Sequence, residues 1–220
     1  MSQEVIHVYF MPGMAASSTI FEYIKLPEDQ FIVHRLDWFV PEPEESLEDY
    51  AKRMILKIEH KNPVLLGVSF GGLLIQEMSK LLKVKKLIIV SSVKTKYELP
   101  RRMKIAKRTK AYKLLPTQFI SNVEILAKYV FGETATKRVA LYKKYLSMSD
   151  KHYLDWAIEQ MINWDQSTTN HDIVHIHGEK DAVFPIRNIK ECIKIPNGTH
   201  IMIINKYKWF NENLPRIILS

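Results

Sequence analysis

The sequence predicts a doubly wound α/β fold with a mostly parallel, six-stranded sheet and a helical cap inserted after the fourth strand. Six apolar, largely β-branched runs are nearly continuous, as expected for parallel strands that are covered on both faces. Segments with helical spacing separate these runs, and such alternation is typical of this class. The chain of 220 residues fits one ordinary domain, so we predict a single domain over residues 1–220.

The bounds of the elements follow from the ends of these patterns. The predicted strands, in chain order, are Val5–Phe10, Phe31–Leu36, Val64–Val68, Lys86–Ser91, Asp172–His177 and Lys190–Ile195. The predicted helices around them are Ser17–Lys25, Ser46–Lys61, Gly71–Leu82 and a closing helix near Asn205–Leu214. A serine at position 46, with an acid three residues later, is a typical helix start.

One interval breaks the alternation of strands and helices. Residues 92–171 contain no convincing strand, although a crossover between parallel strands needs only about a dozen residues. Three stretches of this interval have apolar residues at helical spacing: Pro116–Phe131, Ala135–Leu146 and Ser149–Asn163. We therefore predict that residues 92–171 form a helical cap that packs on the sheet domain.

The most specific motif lies at the end of the third predicted strand, which runs into Gly67-Val68-Ser69-Phe70-Gly71. A serine on a sharp strand-to-helix turn projects its hydroxyl, and the flanking positions must be small because neighbouring backbone passes close by. Most of the seven glycines lie just past predicted strand ends, where the ligand crevice of an open α/β sheet forms. The pattern predicts Ser69 as a nucleophile; the alternative is a glycine-rich turn with an unreactive serine.

Two further reactive side chains follow predicted strand ends. Asp181 closes the segment His177–Asp181, and a carboxylate there can orient a histidine by accepting its N–H. His200 follows a short glycine turn and can act as a general base toward a serine. The alternatives are an ordinary turn aspartate and a surface histidine, while Glu179 and Asp172 are weaker candidates for the acid. The order serine, acid, histidine along the chain accompanies a G-x-S-x-G turn.

These motifs resemble those of the α/β-hydrolase family, and the resemblance covers nearly the full chain. Gly67–Gly71 resembles the nucleophile elbow, His177–Asp181 the acid loop and Gly198–His200 the histidine loop. The resemblance implies the strand order 2-1-3-4-5-6, a trimmed form that lacks the first two strands of the family. Residues 92–171 fall where the family carries its cap.

The resemblance also implies how an oxyanion is held. Phe10–Met14 resembles the oxyanion loop, so the donors would be the backbone N–H groups of Met14 and Phe70. Pro12-Gly13 replaces the usual His-Gly, and a lipase-type run of glycines is absent, which disfavours a lipase for bulky esters. A serine at position 69 excludes the aspartate nucleophile of the family's dehalogenases and epoxide hydrolases.

The histidines of the fifth predicted strand suggest a metal site, which we weigh against a packing role. His171, His175 and His177 lie near Asp181, but no second His/Asp cluster in the sequence completes a metallohydrolase site. We therefore expect packed or hydrogen-bonded histidines, and we predict no metal and no organic cofactor. Cys192 is the single cysteine, so a disulfide scaffold is excluded.

The positive charge of the chain is concentrated in one segment. Lys94–Lys113 contains nine basic residues and one acid, so its net charge equals that of the whole chain, +8. One interpretation is a solvated helix face. The other is attraction of an anion: a charged group of the substrate, a coenzyme A thioester or an acidic membrane surface. We expect no nucleic acid as a partner, because no binding motif is recognisable.

The sequence shows no feature of a membrane-spanning or secreted protein. The longest mostly apolar run, Val64–Ile75, is too short for a transmembrane helix, and the N-terminus has no basic region of a secretory signal. We therefore expect a cytoplasmic protein. The predicted function is a serine hydrolase that cleaves a small ester or thioester through an acyl-serine. The alternative is a non-catalytic binding module on the same fold that engages an anionic partner through residues 94–113.

Overall fold

A computed structural model describes residues 5–114, 144–169 and 172–220. Six parallel strands form one sheet with the order β2-β1-β3-β4-β5-β6, which confirms the predicted fold class and strand order. The strands are β1 Ile6–Met11, β2 Phe31–Arg35, β3 Val64–Val68, β4 Lys86–Val90, β5 Ile173–Gly178 and β6 Ile193–Ile195. All five residues of the central strand β3 are buried, which explains its continuous apolar sequence.

Helices cover both faces of the sheet. The α-helices of the described residues are α1 Leu47–Ile55, α2 Phe70–Leu81, α3 Arg101–Thr109, α4 Lys151–Asn163, α5 Met202–Asn205 and α6 Tyr207–Leu219. Short 3₁₀ helices form at Ser18–Phe21, Lys96–Glu98, Ala111–Leu114 and Ile186–Asn188. No helix within the described ranges is both long enough and apolar enough to cross a membrane.

Alternate residues of each strand point to two separate cores. Leu65 and Ile89 belong to the core that lies between the sheet and helices α1, α2 and α4. Their neighbours Leu66 and Ile88 belong to the opposite core, which contains Phe21 and the buried face of α6. The sheet is therefore packed on both faces, and its parallel strands have their carboxyl ends at the same edge.

Several elements are shorter than predicted. The predicted helix Ser17–Lys25 contains a single 3₁₀ turn, and α1 ends at Ile55 because the next residues close i→i−3 hydrogen bonds. Strand β6 starts only at Ile193, since Glu191 has a left-handed backbone with φ of 47° that interrupts an extended run. The closing helix is two helices, α5 and α6.

The described part of residues 92–171 contains the helices α3 and α4 and two short 3₁₀ helices. The bounds of helix α4 are close to those of the predicted helix Ser149–Asn163. Helix α3 packs against α4, and Lys107 Nζ donates to Asn163 O at 3.1 Å. The predicted helix Pro116–Phe131 and most of Ala135–Leu146 lie outside the described residues. The cap over 92–171 and the single domain over 1–220 therefore stay predictions.

Candidate active site

Ser69 lies on a strained turn between β3 and α2. Its backbone has φ of 53° and ψ of −119°, which few non-glycine residues adopt. The Ser69 N–H donates to Val90 O at 2.9 Å, and Ser92 Oγ donates to Ser69 O at 2.7 Å. These two bonds tie the turn to the adjacent strand β4 and its following residues, so the strain is held by the surrounding sheet.

The two glycines of the G-x-S-x-G turn are required by close backbone approach. A Cβ atom on Gly67 would overlap the carbonyl group of Gly71, and one on Gly71 would overlap the carbonyl oxygen of Pro12. Because the obstacles are backbone atoms, a side chain cannot be accommodated without moving the turn. The motif therefore has a geometric reason in this structure, independent of what Ser69 does.

Three side chains from separate loops form one hydrogen-bonded chain. Ser69 Oγ lies 2.9 Å from His200 Nε2, and His200 Nδ1 lies 2.9 Å from Asp181 Oδ2. Asp181 follows β5 and His200 follows β6, so the carboxyl ends of β3, β5 and β6 bring them together. All three residues are at most 8% exposed. The sequence-predicted Ser69, Asp181 and His200 are thus adjacent.

The orientation of Asp181 is fixed by its own loop. Oδ1 accepts hydrogen bonds from the N–H groups of Val183, at 2.8 Å, and Phe184, at 2.9 Å, which leaves Oδ2 for His200. Burial alone would raise the pKa of Asp181, but its interactions with His200, His177 and the Phe184 N–H outweigh burial and lower that pKa. An ionised Oδ2 accepts from His200 Nδ1–H, so His200 Nε2 is left to accept from the serine hydroxyl.

Two histidines of β5 extend the hydrogen-bonded network beyond Asp181. His177 Nε2 donates to Phe184 O at 2.8 Å, and the same nitrogen lies 3.5 Å from Asp181 Oδ2. The neutral ring then accepts at Nδ1 from His175 Nε2, 3.0 Å away. Burial, followed by the proximity of His177, lowers the pKa of His175 to about 2. These contacts agree with the expected hydrogen-bonded histidines, while His171 lies outside the described residues.

The predicted oxyanion loop lies directly beside the serine. A Cβ atom built on Gly13 would be 3.4 Å from Ser69 Cβ. The buried Trp38 indole donates from Nε1 to Gly13 O at 2.8 Å. This carbonyl also accepts from the Ala16 N–H at 3.1 Å, and it belongs to the same peptide unit as the Met14 N–H. The two bonds together fix the direction of that N–H. Phe70 is the first residue of α2, where helical N–H groups lack intrahelical partners.

Trp38 follows the second predicted strand, and the sequence left open whether it faces the crevice or merely ends the strand. Its ring stacks on Phe70 with centroids 5.2 Å apart. The Tyr153 ring of α4 also lies beside Trp38, with centroids 5.5 Å apart, and its hydroxyl accepts from the Ala15 N–H at 3.3 Å. The loop after β1 is thereby held between the sheet domain and a helix from residues 92–171.

Trp38→Phe should lower kcat by roughly 10–100-fold while changing KM little, because the Gly13–Met14 peptide loses one of the two hydrogen bonds that anchor it but the aromatic packing remains. The lost hydrogen bond should cost about 0.5–1.5 kcal/mol of unfolding free energy. Trp164→Phe is the matched control, since it removes an indole bond of 2.8 Å to Glu77 on α2. Steady-state kinetics of both variants check this; equal effects on kcat would mean that Trp38 acts only through stability.

No family model and no curated protein matches this sequence, whereas solved structures do. A thermophilic esterase from Thermogutta terrifontis matches with a TM-score of 0.66 at 14% identity, covering 100% of this chain and 92% of that chain. An α/β hydrolase fold protein from Burkholderia ambifaria matches with a TM-score of 0.67 at 13% identity, covering 96% and 90%. This chain has the α/β-hydrolase fold.

Proteins of different activity share the α/β-hydrolase fold with this chain. A bromoperoxidase from Bacillus anthracis matches with a TM-score of 0.64 at 17% identity, covering 99% of this chain and 92% of that chain. One fold therefore carries both an esterase and a bromoperoxidase among the similar structures. Substrate and reaction must be argued from the side chains of the site.

Proposed function

We propose that this protein is a serine hydrolase that cleaves a small ester or thioester through an acyl-serine intermediate. The observation that carries the proposal is the unbroken chain of hydrogen bonds from Ser69 Oγ through His200 to Asp181, each 2.9 Å long. A base within hydrogen-bond reach, itself oriented by a third group, is the arrangement that activates a serine hydroxyl.

The proposed reaction follows from the direction of these bonds. Ser69 Oγ attacks the acyl carbonyl as His200 Nε2 takes its proton, and the Asp181 carboxylate stabilises the imidazolium. His200 then gives that proton to the leaving alkoxide or thiolate. Water, deprotonated by the same nitrogen, releases the acyl group from Ser69. Proton and acyl transfer of this kind need neither a metal nor an organic cofactor.

We assign the developing oxyanion to the N–H groups of Phe70 and Met14. Phe70 N–H lies at the positive end of the 12-residue helix α2, which favours negative charge. Trp38 and Gly13 support the assignment of Met14 through the bond that orients its peptide. Donors held in place before the reaction stabilise the transition state without reorganisation.

A substrate panel tests the proposal. p-Nitrophenyl esters of graded acyl length and acyl-CoA thioesters should be hydrolysed with saturable kinetics, and the preferred acyl length would define the substrate class. Absence of turnover on every ester and thioester, together with an unreactive Ser69, would favour the non-catalytic binding module instead.

The basic segment Lys94–Lys113 favours a substrate or partner that carries an anionic group. Arg102 Nη2 donates to the carbonyls of Ala182 and Val183, both at 3.1 Å, so α3 lies against the loop that carries Asp181. Some of its cations are paired, as Lys107 is with Asp165 at 3.8 Å. Other cations are exposed and have no carboxylate within 4.0 Å among the described residues: Arg101, Lys104, Arg108 and Lys110.

We expect kcat/KM for a negatively charged ester to fall as salt rises, while that for a neutral ester stays nearly constant, because ions screen exposed charges. Combining Arg101→Glu, Lys104→Glu and Arg108→Glu should remove this difference. The control variant combines Lys57→Glu, Lys61→Glu and Lys83→Glu, which reverse the charge of three exposed lysines outside α3. Equal salt responses of the two esters in the wild type would instead favour the interpretation of this segment as a solvated helix face.

A further inference from the structure

Three histidines meet at the end of the sheet opposite to Ser69. His7 lies on β1, His34 on the edge strand β2, and His60 four residues before β3 begins. One ring nitrogen of each lies within 4.8 Å of those of the other two. Strand β3 separates His60 from Ser69, which places the cluster about 16 Å or more from the nucleophile at about 3.3 Å per residue.

The rings of the cluster are held by stacking and by one tyrosine. His7 and His60 are stacked with centroids 3.4 Å apart, and the Tyr9 ring stacks on His34 at 4.4 Å. The Tyr9 hydroxyl lies 2.7 Å from His60 Nδ1 and accepts from the Glu59 N–H at 3.1 Å. These contacts fix where the three imidazoles lie, and all three are partly exposed to solvent.

Two of the three rings have nitrogens that face each other. His7 Nδ1 and His34 Nε2 are 2.9 Å apart, so one neutral ring donates its proton to the lone pair of the other. Three protonated rings at this spacing would repel one another.

We propose that His7, His34 and His60 bind one zinc ion, each through one ring nitrogen, with water as the fourth ligand. Neutral imidazole is a preferred zinc ligand, and three histidines with an open fourth position form a known coordination set. Tetrahedral bonds of about 2.0–2.1 Å separate the ligand nitrogens by about 3.3 Å. For this the His7–His34 pair must open slightly, and the His60 ring must leave its stack on His7 and turn so that its lone pair points at the ion.

Tyr9 has a defined part in this site. When Nε2 of His60 binds the ion, Nδ1 carries the proton and donates it to the Tyr9 hydroxyl, which orients the ring. The ion would link strands β1 and β2 to the loop that precedes β3. The site is independent of the reaction proposed for Ser69.

Zinc titration of the untagged, chelator-treated protein is the first test. Calorimetry should show one equivalent of Zn²⁺ per chain with saturable binding. At a free Zn²⁺ concentration of about 100 Kd, the unfolding temperature should rise by about 5–10 °C. X-ray absorption of the zinc-loaded wild type should count three imidazole ligands. No saturable equivalent, or one imidazole at the ion, would overturn the proposal.

Variants locate the ion. Replacing each ligand in turn, by His7→Gln, His34→Gln or His60→Gln, should weaken zinc binding at least tenfold and, at the same free Zn²⁺ concentration, reduce the rise in unfolding temperature by about half or more. His152→Gln, which alters an exposed histidine of α4, is the matched control and should bind as the wild type does.

Tyr9→Phe covers the case in which a histidine variant fails to fold. It keeps all three imidazoles but removes the hydroxyl beside His60, so zinc affinity should fall by about tenfold. Zinc binding that is unchanged in every folded variant, including Tyr9→Phe, would place the ion elsewhere and refute the site.

Discussion

Ser69→Ala should abolish esterase turnover, with a loss of kcat of about 10⁵–10⁶-fold, and should abolish labelling by a fluorophosphonate. Only a serine activated by a base reacts rapidly with this reagent, and Ser69 Oγ is 2.9 Å from His200 Nε2. The protein should stay folded, because the left-handed backbone at φ of 53° strains alanine no more than serine. Mass spectrometry of the labelled peptide identifies the modified residue.

Ser91 offers a matched control for this experiment. It is also buried and also has a left-handed backbone, with φ of 48°, but its Oγ has no hydrogen-bond partner in the described part of the chain. Ser91 should remain unlabelled, and the Ser91→Ala variant should have the esterase activity of the wild type. Undiminished esterase activity in Ser69→Ala would contradict the mechanism, and so would labelling at another serine.

Asp181→Asn should lower kcat by about 10⁴-fold with the fold intact. The carboxylate Oδ1 already accepts from two backbone N–H groups, so the asparagine oxygen should take that place and its NH₂ group should face His200. His200 Nδ1 must then accept, which puts the proton on Nε2, where the serine hydroxyl needs an acceptor. Kinetics of the purified variant, with circular dichroism for the fold, measure the effect.

Glu179→Gln is the control for the acid, since Glu179 lies in the same loop and is exposed. Its only described side-chain bond is from the Asn197 N–H, at 3.3 Å, so activity should be close to that of the wild type. The assignment of Asp181 is wrong if Asp181→Asn is active while Glu179→Gln is not. His200→Ala should match Ser69→Ala, and the double variant should lose little more, because the two residues act as a unit.

The sequence by itself determined the class of fold and the identity of the candidate nucleophile, acid and base. Continuous apolar runs such as Val64–Val68 arise because a parallel strand is buried on both faces, and that burial is visible in composition alone. The turn at Ser69 is also readable, since Gly67 and Gly71 are needed for a close backbone approach at fixed positions in the chain. Local requirements of this kind leave local patterns.

Element ends were less readable, because they depend on individual backbone conformations. Glu191 is an example: its left-handed φ of 47° shortens β6, although glutamate itself carries no turn signal. The helix α1 likewise ends in a 3₁₀ turn within a sequence that continues its helical spacing. Here tertiary packing decides between conformations of similar local energy.

Only the tertiary structure decided which distant side chains support the site and which form a second cluster. Trp38 reaches Gly13 because loops from different strands converge at one edge of the sheet, and Tyr153 reaches Ala15 from helix α4. His7 and His34 meet because β1 and β2 pair in one particular register, with Tyr9 opposite His34. Register and loop convergence are set by the packing of the whole sheet, so contacts between residues 27 positions apart, such as His7 and His34, have no signature in the sequence between them.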